Sequence, residues 1–466
     1  MSLDPESLSQ FIDTFWDREI LPVLSEYISI PCKSVHFDPD WERNGHMEAA
    51  RRLAVDWLVQ HPIPDAVLHD LKLPGRSPLI LLDIPGFSEG TVLIYGHLDK
   101  QPEMEGWREG FGPWTPVLSD DKLYGRGGAD DGYALFAAVA AIKALEGQQL
   151  PRIVILVEFS EESGSPDLPA YLETYGHLIG KPKLVIALDS GAGDYERLWS
   201  TTSLRGVVGC VVDVQVLEET AHSGIASGIV PSSMRIMRQL MDRIEDPMTG
   251  ECRIPELRAD IPEQRQLQAR AAAGILHDSL LTSFSTVPGL RAICDDPAEQ
   301  ILNSTWRPTV CVIGQDGIPP IAEAGNILRS HTAFKFSLRL PPTVDAGLAE
   351  QAIRAALTAD PPYGARIRVE FDQAGSGWNA PELAPWLEQA TRDASQTFFG
   401  QDAVYMGLGG SIPFMGMLGQ QYPEAQFLIT GVLGPLSNAH GPNEFLHIPY
   451  AKRLTACVAA IIGGLQ

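Results

Sequence analysis

Four short apolar runs along the chain each end in acidic residues or histidine. They cover residues 91–95, 153–157, 184–188 and 427–430. Their β-branched content and the Gly, Pro and Ser around them predict buried strands. Between them, residues 48–60 and 133–145 carry apolar side chains at helical spacing. This alternation predicts an α/β fold in which several strands share one sheet.

The residues that follow these strands are of the types that bind metal ions. In open α/β sheets, ligands bind beyond the carboxyl ends of the strands. A metal-bound imidazole usually donates its second N–H to a carboxylate, so His97 and Asp99 suit a ligand and its support. For any one residue alone, a solvated loop position is the alternative. Together they predict a metal centre whose candidate ligands are His97, Asp130, Glu162, Asp189 and His440.

The middle of the chain has a different pattern. Strand-like runs occur at residues 207–216, 332–340 and 366–371, with mixed helix signals between them. His222 is the one residue of this block that suits a two-ion site. We predict an inserted α+β domain over residues 205–375. The catalytic domain would then be discontinuous, over residues 1–204 and 376–466.

Composition and charge narrow the classes of function. The 466 residues are 44% hydrophobic and 20% charged, which is ordinary for a globular protein. No apolar run approaches the roughly 20 residues of a membrane helix. A formal net charge of −24 argues against nucleic acid or an anionic membrane as partner. The six cysteines form no Cys-x-x-Cys pair, which indicates reduced thiols in a cytoplasm.

Seven motifs in order resemble the M20 family of co-catalytic metallopeptidases. Within that family the chain is similar to the cytosolic non-specific dipeptidase and carnosinase branch. The matches span about 350 residues, so chance agreement is negligible. They are Gly96-His-Leu-Asp-Lys-Gln-Pro102, Leu123-Tyr-Gly-Arg-Gly127 with Asp130-Asp131, Glu161-Glu162-Ser-Gly-Ser165, Asp189-Ser190, His222-Ser-Gly224, Gly409-Gly-Ser-Ile-Pro413, and Ala439-His440 with Asn443-Glu444.

The resemblance implies two divalent metal ions per subunit, with Zn²⁺ first and Mn²⁺ or Co²⁺ as alternatives. His97 and Asp189 would hold one ion and Glu162 and His440 the other, while Asp130 would bridge them, Asp99 would orient His97, and Glu161 would be the general base. Two divalent ions carry four positive charges, which three carboxylates and one bridging hydroxide neutralise. The resemblance also implies a cis peptide bond between Asp130 and Asp131.

Substrate binding is also implied by the resemblance. The inserted domain would form a homodimer, and His222 would reach the partner's active site to stabilise the oxyanion. Asn326 and Arg339 would grip the substrate carboxylate, together with Gly410 and Ser411. The sequence departs from the family at Gly132-Tyr133, where Lys-Gly is usual, and at Gly407-Leu408, where Arg-Glu is usual.

The sequence therefore predicts a cytoplasmic, homodimeric α/β metallohydrolase. It has a mixed-sheet di-metal peptidase domain and an inserted α+β lid and dimerisation domain. Its reaction would be cleavage of dipeptides or short peptides with a free C-terminal carboxylate by metal-hydroxide attack. Hydrolysis of N-acyl or N-carbamoyl amino acids is the alternative. A non-catalytic metal-binding scaffold is a remote alternative, because Glu161 and every candidate ligand are present.

Overall fold

The structure is a computed structural model that describes residues 4–284 and 286–465. Within these residues the fold contains fifteen α-helices and eighteen β-strands. The predicted catalytic segments start at residue 1 and end at residue 466, so residues 1–3 and 466 of that prediction lie outside the described residues. The strands are β1 (Val67–Leu71), β2 (Leu79–Ile84), β3 (Ser88–His97), β4 (Val117–Ser119), β5 (Lys122–Tyr124), β6 (Pro151–Glu158), β7 (Pro182–Ala187), β8 (Trp199–Leu204), β9 (Gly206–Gln215), β10 (Ala221–His222), β11 (Thr309–Asp316), β12 (Ile327–Leu328), β13 (His331–Leu340), β14 (Arg366–Gly375), β15 (Trp378–Asn379), β16 (Val404–Leu408), β17 (Gln426–Ile429) and β18 (Phe445–His447). The helices are α1 (Pro5–Phe15), α2 (Leu21–Ile28), α3 (Trp41–Asn44), α4 (His46–Gln60), α5 (Tyr133–Lys143), α6 (Leu168–Tyr175), α7 (Ser223–Ala226), α8 (Ser233–Ile244), α9 (Glu263–Leu276), α10 (Ser279–Thr282), α11 (Pro297–Thr305), α12 (Ala346–Thr358), α13 (Pro385–Phe399), α14 (Pro413–Gln421) and α15 (Ile448–Gly463).

The largest sheet has six strands in the order β1-β2-β6-β3-β7-β17. Strands β6, β3, β7 and β17 run parallel, whereas β2 is antiparallel to β6, so the sheet is mixed. These four parallel strands are the four apolar runs predicted from the sequence, and that prediction is confirmed. Their carboxyl ends lie at one edge of the sheet.

Both faces of this sheet are buried. In β3, Val92 and Ile94 face one apolar cluster, whereas Leu93 and Tyr95 face another. Helix α5 is buried over residues 133–142 and packs in the first cluster, together with α15. A helix that is apolar on all sides fits such a position between a sheet and other helices. The continuous apolar strands follow from burial on both faces.

A second sheet is antiparallel, with the strand order β11-β13-β9-β14. Helices α8 and α12 cover it with an apolar core of their own, which includes Ile236, Leu240 and Ile353. Helices α9 and α11 instead share a cluster with Trp199 of β8 and Val404 of β16. Part of the middle block therefore packs on strands outside it, and the domain boundaries at 204/205 and 375/376 stay predictions.

No helix in the stretches 4–284 and 286–465 has both the length and the apolar character needed to cross a membrane. All six cysteines are free thiols.

Candidate metal centre

The candidate ligands lie where the parallel strands end. His97 is the last residue of β3, and β7 ends at Ala187, two residues before Asp189. Strand β6 is followed by a helical turn over Glu161–Ser163. The loop after β17 carries His440, and the turn over Gly128–Gly132 places Asp130 before α5. The sheet topology therefore brings together residues that are more than 300 positions apart in sequence.

Asp130 lies between the two histidines. Its Oδ1 is 3.5 Å from His97 Nε2, and its Oδ2 is 3.0 Å from His440 Nε2. Asp189 Oδ2 is 3.8 Å from His97 Nε2, and Glu162 Oε2 is 3.3 Å from His440 Nε2. Each histidine thus has its own carboxylate neighbour, and both share Asp130. This arrangement suits two adjacent ions with one bridging carboxylate.

The chemistry of these atoms fits divalent cations. His97 Nε2 is buried and has no hydrogen-bond partner among the described residues. Within 4.8 Å of one another lie ligand atoms of His97, Glu161 and Asp189, and likewise of His97, Asp130 and Glu162. Imidazole and carboxylate donors suit zinc, manganese and related ions. A metal ion would satisfy the nitrogen that the protein leaves without a partner.

Asp99 connects His97 to the turn that carries the two glutamates. His97 Nδ1 is 3.3 Å from Asp99 Oδ1, which favours the tautomer that leaves Nε2 free to bind a metal. The Asp99 carboxylate also accepts hydrogen bonds from the backbone N–H groups of Glu161 at 3.1 Å and Glu162 at 3.0 Å. The sequence predicted only the contact with His97.

Burial and the charges of the centre raise the pKa values of three of its side chains. Burial, and then the charge of Asp130, raises the pKa of Glu162 to about 8. Burial and the charge of Asp189 raise the pKa of Glu161 well above its usual value. Burial opposes protonation of His440, but its hydrogen bond to Asp130 and the charge of Glu162 raise its pKa to about 9. Without ions, the centre therefore holds protons that metal binding must displace.

A buried ion pair joins the two loops that carry Asp130 and His440. Arg126 Nη1 donates to Glu444 Oε2 at 2.6 Å, and Arg126 Nη2 donates to the carbonyl of Gly441 at 2.9 Å. The backbone N–H of Gly127 donates to the other carboxylate oxygen of Glu444 at 2.9 Å. The sequence motifs include Arg126 and Glu444 but gave them no role.

Gln101 is a second residue that the sequence reasoning missed. Its Nε2 donates to Glu162 Oε2 at 2.6 Å. It belongs to the motif over residues 96–102, which was the one signal that pointed to it.

The family is decided by a match over most of the chain. The model of the family described as peptidase family M20/M25/M40 matches residues 93–463. The chain belongs to this family. Its predicted identity as an M20 peptidase, and hence as an enzyme, is confirmed.

Two curated relatives of this M20 peptidase are named dipeptidases. The cysteinylglycine-S-conjugate dipeptidase of Corynebacterium striatum is 26% identical over 476 residues, which cover 97% of this chain and 98% of the relative. The Beta-Ala-His dipeptidase of Homo sapiens is 26% identical over 478 residues, which cover 94% of this chain and 88% of the relative. The similarity thus extends through nearly the whole chain.

A solved structure shows the same fold. The structure of the di-peptidase Dug1p from Saccharomyces cerevisiae matches with a TM-score of 0.79 at 22% identity, over 100% of this chain and 99% of that one. The predicted fold class is therefore confirmed, with its mixed-sheet peptidase domain and inserted α+β domain.

The structure gives a physical reason for the family departure at Gly132-Tyr133. A Cβ atom on residue 132 would lie 2.2 Å from Cε1 of Tyr27, so the Tyr27 ring occupies the space of a side chain there. The hydroxyl of Tyr133 is buried and donates to the carbonyl of Leu188, the residue before Asp189. This M20 peptidase thus uses the altered pair to pack α2 and the Asp189 loop against α5.

The turn before α5 is close-packed as well. The peptide bond between Asp130 and Asp131 is cis, as expected. Asp131 Oδ2 accepts a hydrogen bond from the backbone N–H of His97 at 3.3 Å. A Cβ atom on Gly96 would lie 2.6 Å from the Cβ of Ala134 and 2.8 Å from Asp131 Oδ2. Only glycine lets α5 approach the end of β3 this closely.

The other predicted site residues lie in the predicted inserted domain and in the loop over residues 409–411. His222 and Asn326 share a short ribbon, in which β10 pairs with β12 and the N–H of Ser223 donates to the carbonyl of Asn326 at 3.0 Å. Both residues are exposed. Arg339 lies on β13, and the hydroxyl of Ser411 donates to the carbonyl of Arg205. Gly410 lies in the same loop as Ser411.

Proposed function

We propose that this M20 peptidase hydrolyses dipeptides or short peptides with a free C-terminal carboxylate, using two divalent ions per subunit. The observation that carries the proposal is the placement of Asp130 between His97 and His440. Two whole-length relatives that are named dipeptidases support the choice of substrate. His97 and Asp189 would hold one ion, Glu162 and His440 the other, and Asp130 both.

The remaining residues of the centre position these ligands and move protons. When bound, the two ions would lower the pKa of a water molecule, so that hydroxide would be available at neutral pH as the nucleophile for the peptide carbonyl. Glu161 would take a proton from that water and deliver it to the amide nitrogen that leaves as an amine. The products are a carboxylate and an amine. Asp99 holds both His97 and the turn at Glu161, so it would fix the distance between base and ligand.

Zinc is the proposed metal, with manganese or cobalt as alternatives, because imidazole and carboxylate donors accept all three. We place the protein in the cytoplasm, and the six free thiols support this compartment.

The carboxylate of the substrate would bind to Arg339 and Asn326, together with the N–H groups of Gly410 and Ser411. A planar guanidinium binds a carboxylate through two parallel hydrogen bonds, which suits Arg339. His222 would stabilise the oxyanion in the active site of a second subunit.

A homodimer through the inserted domain is supported by exposed apolar side chains in the segments that follow β10 and precede β12, the two strands of the His222 ribbon. Ile225, Ile229 and Ile321 are 74%, 81% and 96% exposed, and Ile327, which pairs with His222, is 42% exposed. Ile321→Glu should shift the protein from dimer to monomer in analytical ultracentrifugation. Val59→Glu, at a 66% exposed position on α4 outside the inserted domain, is the control and should leave the dimer intact. Wild type that is a monomer at all concentrations would contradict the proposed dimer.

The test of function is amino-acid release from dipeptides, tripeptides and N-acyl amino acids. Metal-free protein is reloaded with zinc or manganese, and Glu161→Gln is compared with Glu173→Gln, an exposed glutamate on α6. We expect wild type and E173Q to cleave dipeptides only with metal. E161Q should bind the metal and lose activity by about 10²-fold or more, the range of general acid–base catalysis.

Other outcomes would overturn parts of the proposal. Turnover of acylated amino acids alone would move the function to amidohydrolysis with the same centre. Full activity of E161Q would show that Glu161 is not the general base. Binding of two ions without any turnover would favour the metal-binding scaffold.

A further inference from the structure

Arg205 is a buried cation at the point where the chain passes from the peptidase sheet to the inserted sheet. It lies between the end of β8 at Leu204 and the start of β9 at Gly206, and it is 9% exposed. Its guanidinium donates to the carbonyls of Gly409 at 3.2 Å, Arg307 at 3.3 Å and Asn303 at 3.5 Å, and to Thr309 Oγ1 at 3.2 Å. All four acceptors are neutral oxygens.

Arg205 holds the loop over residues 409–411 at two points. Its Nε donates to the carbonyl of Gly409, and its own carbonyl accepts from the hydroxyl of Ser411. The preceding residue, Leu408, lies beside the Asp189 loop, because a Cβ on Gly191 would be 3.5 Å from Leu408 Cδ1. The loop that Arg205 fixes therefore follows a residue packed beside Gly191, two positions after Asp189.

Arg205 also lies beside Arg339. In the inserted sheet, Arg339 pairs with Val207 on one side and with Thr309 on the other. Paired residues face the same side of a sheet, so the side chains of Thr309 and Arg339 lie on one side of it, and Arg205 directly precedes the strand that carries Val207. The hydrogen bond from Arg205 to Thr309 agrees with this placement. Burial, and then the charge of Arg339, lowers the pKa of Arg205 to about 10.

Neither arginine has a carboxylate partner. Within residues 4–284 and 286–465, no Asp or Glu oxygen lies within 4.0 Å of either guanidinium. A buried charge that has no counter-charge is costly even when it is hydrogen-bonded, and a second like charge beside it adds to the cost. An anion that binds between the loop and β13 would remove both costs.

We propose that Arg205 is a positioning and specificity residue, which holds the 409–411 loop against Arg339 and adds a second positive charge to the carboxylate subsite. The inference rests on the proposed function, since it names how this peptidase selects a free C-terminal carboxylate over a neutral end. Arg205 acts through the loop and through its charge, without contact to the reacting atoms. Its loss should therefore weaken binding of the acid far more than binding of the amide.

The test uses a dipeptide analogue whose peptide bond is reduced and cannot be cleaved. The analogue with a free C-terminal carboxylate is compared with its C-terminal amide. Binding of both to the metal-loaded protein is measured by calorimetry, for wild type, Arg205→Gln and Arg205→Lys. Arg265→Gln is the matched control, because Arg265 is 5% exposed and donates to Asn379 Oδ1, Gln268 Oε1 and the carbonyl of Ala380, again neutral oxygens.

Wild type and R265Q should bind the acid at least about tenfold more tightly than the amide, because the amide lacks the negative charge that pairs with an arginine. R205Q should lose most of that preference with little change for the amide, and R205K should keep about half of it on a logarithmic scale. In hydrolysis, R205Q should raise KM for the dipeptide more than it lowers kcat.

Equal weakening of acid and amide in R205Q would show a structural role only and overturn the proposal. Wild type that binds acid and amide equally would overturn it as well. Wild type that prefers the acid but cleaves no dipeptide would refute the proposed function while leaving the subsite intact, because binding does not depend on turnover.

Discussion

Asp99 joins one histidine of the candidate metal centre to the turn that carries Glu161 and Glu162. One carboxylate lies 3.3 Å from His97 Nδ1 and accepts the N–H groups of both Glu161 and Glu162. A ligand of each proposed ion and the proposed base are thus fixed by one side chain. Partners of this kind fix the tautomer and the ring orientation of the histidine and raise its basicity as a ligand.

Asp99→Asn should therefore lower metal affinity and kcat/KM by about 10–100-fold. Asparagine keeps the shape, but its NH₂ group would face a backbone N–H where a second acceptor is needed. Asp56→Asn, at an exposed position on α4, is the control. Unchanged metal affinity and unchanged kcat/KM in D99N would contradict this role.

The titration of His440 and Glu162 predicts how metal binding depends on pH. With pKa values raised to about 9 and about 8, both side chains are mostly protonated at pH 7 in the metal-free protein. Each must lose its proton to bind a metal, so binding at pH 7 should release up to about two protons per chain. Affinity should rise from pH 7 to pH 9. Calorimetry in buffers of different ionisation enthalpy measures the release, and binding without proton release would contradict the prediction.

At the scale of elements, the sequence predicted the parallel strands well, for a local reason. Four of the five candidate ligands follow a short apolar strand, whereas Asp130 precedes α5. Parallel strands bring their carboxyl ends together, so the order of apolar runs along the chain was enough to group these candidates. The contacts between loops could not be predicted from the sequence. Arg126 and Glu444 are 318 positions apart, and nothing local in the sequence shows that they pair.

Arg126→Met tests the ion pair that joins the loops of Asp130 and His440. It would leave the carboxylate of Glu444 buried without its partner, which typically costs about 3–5 kcal/mol of unfolding free energy. The double variant Arg126→Met with Glu444→Gln should be more stable than the single one, because no charge is then left unpaired. Urea unfolding of the metal-free proteins measures both. A single variant as stable as the double would refute this view of the pair.

Tyr133 tests the departure from the family at the start of α5. Tyr133→Phe should leave the carbonyl of Leu188 without its donor, at a cost of about 1–3 kcal/mol in unfolding free energy. Because Asp189 follows Leu188, the variant should also bind metal more weakly. Tyr171→Phe is the matched control, since its hydroxyl donates to the carbonyl of Ser77 at 2.7 Å. An equal loss of metal affinity in both variants would refute a specific role for Tyr133.

At the scale of the whole molecule, two sheets with separate apolar cores meet near Arg205. The sequence showed the change of pattern at this point but not its packing. Helices α9 and α11, within the predicted insertion, pack on Trp199 and Val404. Their helical periodicity gives which side is apolar, whereas the strand that covers that side is set by the tertiary fold. For the same reason the sequence did not indicate a role for Arg205, because its local sequence does not distinguish it from a surface arginine.

The most direct measurement is a titration of metal-free protein with zinc or manganese, with bound ions per chain and dipeptide hydrolysis followed together. The account predicts that activity develops as two ions bind. Asp130→Asn should lose tight binding of both, because Asp130 reaches toward His97 and His440 alike. Full activity with one ion per chain, or in the metal-free protein, would contradict the account.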